Sequence, residues 1–81
     1  MAEPNINDSY TTSRDGGLRY VYHANWFRDG SLLYWRARIK RDDALKGLPA
    51  GKVNGIPVGF EEVAVRSLVE NAIEVRAGVE K

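Results

Sequence analysis

Few side chains in this sequence combine the residue type and the spacing that catalysis requires. His23 is the single histidine. It could act as a general base only with a nucleophile in reach and a third group to orient its ring. No such partners can be assigned around it, so a solvated strand histidine is expected. Two pairs of adjacent carboxylates, Asp42-Asp43 and Glu61-Glu62, point in different directions on a helix or strand. They therefore do not converge on one proton or one metal ion. Helix-start chemistry is the expected explanation of both.

The stretch GLPAGKV (residues 47–53) has a glycine-rich loop ending in Gly-Lys, a combination that can cradle phosphate. The phosphate-binding loop needs four residues between its glycines and Ser or Thr after the lysine. Three residues separate Gly47 from Gly51 here, and Val53 follows Lys52. Ordinary loop chemistry is expected. The chain has no cysteine, which removes disulfides and thiolate metal sites. No catalytic residue, metal site or cofactor is expected, and the chain does not read as an enzyme.

Charge gives the remaining signal. The net charge is +1 over 81 residues, but it is unevenly placed. Residues 18–41 hold Arg19, Arg28, Arg36, Arg38, Lys40 and Arg41 against Asp29 alone, a local balance of +5. The segments on either side are acidic or balanced. Basic side chains beside polar and aromatic ones are the footprint of a nucleic-acid site. The bland alternative is a half-exposed sheet whose polar face keeps strands from pairing edge to edge.

The elements that must position these residues begin with LRYVYHANWFRDGSLLYWRARIKR. It is rich in aromatic and β-branched residues and is broken by Asp29-Gly30, a strong hairpin signal. With Asp29 and Gly30 as the loop, Arg28 pairs with Ser31. One face then reads Trp26 opposite Leu33, Ala24 opposite Trp35, Tyr22 opposite Ala37, and Tyr20 opposite Ile39. This all-apolar face is the expected core. The other face reads Phe27 opposite Leu32, Asn25 opposite Tyr34, His23 opposite Arg36, Val21 opposite Arg38, and Arg19 opposite Lys40.

Residues 60–77 read as a helix. Val65, Leu68, Val69, Ala72, Ile73 and Arg76 fall on one stripe, acids occupy the first turn, and Gly78 is the expected C′ residue. Residues 41–58 form a glycine-rich connection. Within it Asp42 would cap a helical turn, Asn54-Gly55 would turn the chain, and a short strand near Lys52 and Val53 or near Ile56 is allowed. Residues 1–17 form a polar segment, either flexible or an edge strand. For that strand a two-residue turn would pair Thr11 with Tyr20, and a three-residue turn would pair Tyr10 with Tyr22. The expected fold is α+β: an antiparallel hairpin or three-stranded meander packed in two layers against one C-terminal helix, with residues 18–81 as a single domain.

The order from Trp35-Arg36-Ala37-Arg38-Ile39 to the helix at Phe60 resembles the layout of AP2-type and integrase arm-binding domains. It is a likeness in element order that assigns no family. In those families the exposed sheet face contacts DNA.

Two functions from different classes follow. The first is assembly, as a homo-oligomer or with a protein partner, through Val21, Phe27, Leu32 and Tyr34 on the outer face. A neighbour's acidic helix surface (Glu62, Glu70, Glu74) could receive the basic face. The alternative is nucleic-acid binding, with contacts from Arg19, Asn25, Tyr34, Arg36, Arg38 and Lys40. The N-terminus lacks the basic and apolar regions of a signal peptide. No apolar run is long enough to span a bilayer, so no membrane partner and a cytoplasmic location are expected.

Overall fold

The computed structural model describes residues 4–81. Five antiparallel strands and one helix follow in chain order: β1 (Asn5–Thr11), β2 (Arg19–Asp29), β3 (Leu32–Arg41), β4 (Ala44–Gly47), β5 (Ala50–Asn54) and α1 (Glu61–Val75). Strands β1 to β4 form a meander, and β5 also pairs with β3. Strands β4 and β5 together line one edge of β3. The first covers its C-terminal end and the second its N-terminal half. The helix packs on one side of the sheet, mainly over β2, with β1 and β3 beside it. The expected two-layer α+β architecture is observed.

Alternation along β2 sets the core. Tyr20, Tyr22, Ala24 and Trp26 are buried while their neighbours face outward. Leu33, Ala37 and Ile39 do the same on β3, with Trp35 half-buried. From the helix, Val65, Val69 and Ile73 complete the cluster, and Ile6 joins it from β1. Burying each such aliphatic side chain contributes roughly 1.5–3 kcal/mol.

The β2–β3 hairpin keeps the expected faces but not the expected pairing. Its loop is Gly30 and Ser31, and Asp29 pairs with Leu32. Gly30 has φ +62°, and Ser31 stays at negative φ. This is a type II′ turn, which needs glycine only at its first central position. A loop of Asp29 and Gly30 would have forced the aspartate to positive φ as well. The strands therefore slip by two residues, and a slip of two preserves every side chain's face. Trp26 now sits opposite Trp35. The bulk is absorbed one strand further on, where Trp35 is opposite Gly51. A Cβ on Gly51 would lie 3.2 Å from the indole nitrogen.

Strand β1 exists and forms the edge beside β2, with Tyr10 opposite Tyr20 and Thr11 opposite Arg19. The connecting loop is seven residues long, so neither expected pairing occurs. Asp15, Gly16 and Gly17 all take positive φ. The side chain of Thr12 closes the loop, donating to the Arg14 carbonyl (2.8 Å) and accepting from the Leu18 amide (3.0 Å).

Asp42 and Asp43 do not start a helix. Both take left-handed conformations, φ +52° and +63°, as the two central residues of the β3–β4 hairpin. Aspartate tolerates this geometry better than most non-glycine residues. The glycine-rich connection is thus mostly strand.

The helix ends at Val75, and Arg76 rather than Gly78 is its left-handed C′ residue. Arg76 adopts φ +55°, and the amides of Arg76 and Ala77 reach the carbonyls of Ile73 and Ala72. These are the two bonds of a Schellman motif. Gly78 also has positive φ, and it turns the tail back onto the sheet. Val79 bridges to Gly47, and the Glu80 amide donates to the Lys46 carbonyl at 2.7 Å.

Candidate binding face

The helix covers one side of the sheet. On the opposite side β2 presents Arg19, Val21, His23, Asn25 and Phe27, and β3 presents Leu32, Tyr34, Arg36, Arg38 and Lys40. These are the alternate positions to the buried ones. Two further strands widen the face. Asn5, Asn7 and Ser9 of β1 stand opposite Asn25, His23 and Val21. Asn54, Lys52 and Ala50 of β5 stand opposite Leu32, Tyr34 and Arg36. The sequence allowed a short strand near Lys52 and Val53 but did not place Lys52 on this face. Its glycine and proline neighbours mask the alternation that would have placed it.

The outer cations are arranged in order. Arg36, Arg38 and Lys40 alternate along β3, so their side chains leave the sheet roughly 7 Å apart. Arg19 donates to the Ser9 hydroxyl (3.2 Å), and Arg36 donates through Nε to Asn25 Oδ1 (2.9 Å). Among the described residues, Arg19, Arg38, Lys40 and Lys52 form no ion pair with a carboxylate. The outward positions of β1, β2, β3 and β5 hold no acid except Asp29 at the hairpin tip.

The acids on the helix side and in the first loop are engaged. Asp8 and Glu62 hold Arg66, Glu61 holds Arg28 (2.9 Å), and Asp15 holds Arg76 (3.2 Å). Glu70 accepts from the Tyr22 hydroxyl at 2.9 Å. Burial, then this carboxylate, pushes the Tyr22 phenol well above its ordinary range. Glu74 accepts from the Ser13 amide (2.9 Å) and the Tyr10 hydroxyl (2.7 Å), and pairs with Arg14 (3.5 Å). The Ser13 amide, followed by Tyr10, holds the Glu74 carboxyl below its ordinary range. The helix carboxylates Glu62, Glu70 and Glu74 thus have partners within their own chain.

The residues expected to form an apolar interface are only partly brought together. Phe27 and Tyr34 are directly opposite, with ring centroids 4.9 Å apart and planes within 8°. Leu32 is half-buried nearby, two residues along β3. Val21 lies at the other end, opposite Lys40. The apolar surface is a small aromatic cluster by the hairpin tip and one isolated valine.

Three shallow clefts run across this face and share walls. The first, 230 Å³, lies between Asn25, Phe27, Tyr34, Arg36 and Gly51. The second, 530 Å³, shares Asn25 and Arg36 with it and adds His23, Arg38 and Leu48. The third, 410 Å³, shares His23 and Arg38 and ends at Asn7, Val21 and Lys40. They form one trough from the aromatic pair to Lys40, roughly 20 Å along β3. His23 faces Arg38 and Asn7 across the strands, with no carboxylate among those cross-strand partners to orient its ring. Among the described residues no three His, Asp or Glu side chains gather as metal ligands. No described helix is long and apolar enough to cross a membrane.

Comparison of the chain with protein-family models, with curated proteins and with solved structures finds no match.

Proposed function

We propose that this protein is a non-enzymatic module that binds nucleic acid through the uncovered face of its sheet. One observation carries the reading: the segregation of charge between the two sides of the sheet. Arg19, Arg36, Arg38, Lys40 and Lys52 share one face, while on the helix side Asp8, Glu61, Glu62 and Glu74 pair with arginines of their own chain and Glu70 accepts from Tyr22. A polyanion complements such a surface, and phosphate contacts supply most of sequence-independent affinity.

The exposed Phe27 and Val21, 50% and 47% accessible, favour a second reading in which the face meets a protein. Self-association through this face is disfavoured by symmetry. An isologous contact places the same patch on both subunits, so the cations would meet cations. The helix carboxylates of a neighbour would have to abandon their own partners.

Fluorescence anisotropy with labelled single-stranded DNA, duplex DNA and RNA at low salt tests the proposal, alongside sedimentation equilibrium of the protein alone. Micromolar or tighter binding that weakens steeply with salt, by a monomer, supports it. No binding to any of the three polymers refutes it. Concentration-dependent dimerisation abolished by Phe27→Lys would instead establish the protein-interface reading.

A further inference from the structure

We infer that the trough takes single-stranded nucleic acid, with one unpaired base stacked on the Phe27–Tyr34 pair; this rests on the nucleic-acid reading above. The two rings stand as a near-parallel pair, and Phe27 remains half exposed. Strand side chains rise roughly perpendicular to the sheet, so the pair stands up beside the trough, each ring covering one face of the other and leaving its outer face for a base. The adjoining 230 Å³ cleft has Ala50 and the backbone of Gly51 on its outer side. On its inner side, Arg36 donates to Asn25 Oδ1. That bond fixes the amide and leaves its NH2 as a donor for a base edge.

A duplex cannot use this arrangement. Its base faces are covered by stacked neighbours, and only groove edges and phosphates are presented. An unpaired base offers a free π-face, and stacking on aromatic side chains tolerates any base. The order of groups along the trough fits the same ligand. The aromatic pair sits at one end, and Arg38 and Lys40 continue from it at strand spacing. A backbone leaving the stacked base would run past both cations.

The test compares oligonucleotides of about a dozen nucleotides, in DNA and RNA forms: single-stranded, blunt duplex, and a single strand made wholly of abasic sites. The wild-type chain is measured beside Phe27→Leu/Tyr34→Leu, which keeps apolar bulk and removes both rings, and beside Tyr34→Leu alone. Circular dichroism checks that each variant is folded. The single strand should bind more tightly than the duplex. Removing both rings should cost it about tenfold or more, with the salt slope and duplex affinity unchanged. The abasic strand should bind wild type no better than the ordinary strand binds the variant, which tests stacking even if the double variant fails to fold. Equal wild-type affinity for single strand and duplex, or equal affinity for abasic and ordinary strands, overturns the inference and leaves the nucleic-acid reading standing. Binding to none of the polymers overturns both.

Discussion

Arg36 and Arg38 occupy alternate positions on a strand whose other side is core, so replacing them should not disturb the fold. If they pair phosphates, Arg36→Gln/Arg38→Gln should reduce the slope of log affinity against log salt by about 1.4 for a single strand, at roughly 0.7 per phosphate. Anisotropy titrations at several salt concentrations read this directly, and an unchanged slope would remove both residues from the contact. Glu74 has the opposite character, since it matters to stability. Its carboxyl is held below the ordinary range in the folded chain, first by the Ser13 amide and then by Tyr10. A depressed folded value stabilises above the unfolded value, and the benefit is lost as pH falls through the folded one. The urea midpoint should therefore drop as pH falls below the ordinary carboxylate range. Glu74→Gln should lower the midpoint at neutral pH and flatten part of that drop.

At the scale of elements, the tail and the edge strand depend on Gly47. A Cβ there would lie well inside contact distance of the Gly78 carbonyl oxygen. Gly47→Ala should cost roughly 1–3 kcal/mol, the range for forcing extra volume into a packed site, measurable by urea denaturation. Arg76→Gly would relieve a left-handed arginine but remove the Asp15 ion pair. Because that pair is partly exposed and worth little, a net gain of up to about 1 kcal/mol is expected. A loss would mean that the pair outweighs the strain.

The same elements show what sequence could and could not convey. The faces of β2 and β3 were legible because aromatic and aliphatic residues alternate with polar ones over both strands. Their pairing was not, since Gly30 serves either a type I′ or a type II′ turn and a slip of two leaves both faces intact. The tripeptide Arg-Asp-Gly occurs twice and makes two different loops. Asp15 takes positive φ in the first, whereas Asp29 stays in the strand in the second. Strand β4 escaped, and β5 was legible only as an allowed short strand near Lys52 and Val53, because Gly47, Pro49 and Gly51 read as loop punctuation. They form an edge, where a proline without an amide proton is tolerated. The basic row on β3 was visible in the sequence. Lys52 and the asparagines of β1 joined it only through tertiary pairing.

For the whole molecule, the governing feature is a sheet covered on one side. The helix takes the apolar side, and Asp8, Asp15 and the helix glutamates gather around the helix and the first loop. Arginines and lysines line the uncovered face. A monomer with this distribution should stay monomeric at moderate salt, because matching faces repel. Sedimentation equilibrium should return a single species near the chain mass of 9.1 kDa.

The most direct test of the account is amide chemical-shift mapping by NMR as single-stranded oligonucleotide is added to labelled protein. Shifts should concentrate on β2, β3 and β5, around Asn25, Tyr34, Arg36, Arg38, Lys40 and Lys52, while exposed helix positions such as Val63 and Ser67 stay unmoved. Shifts centred on the helix, or none at concentrations that saturate binding, would contradict it.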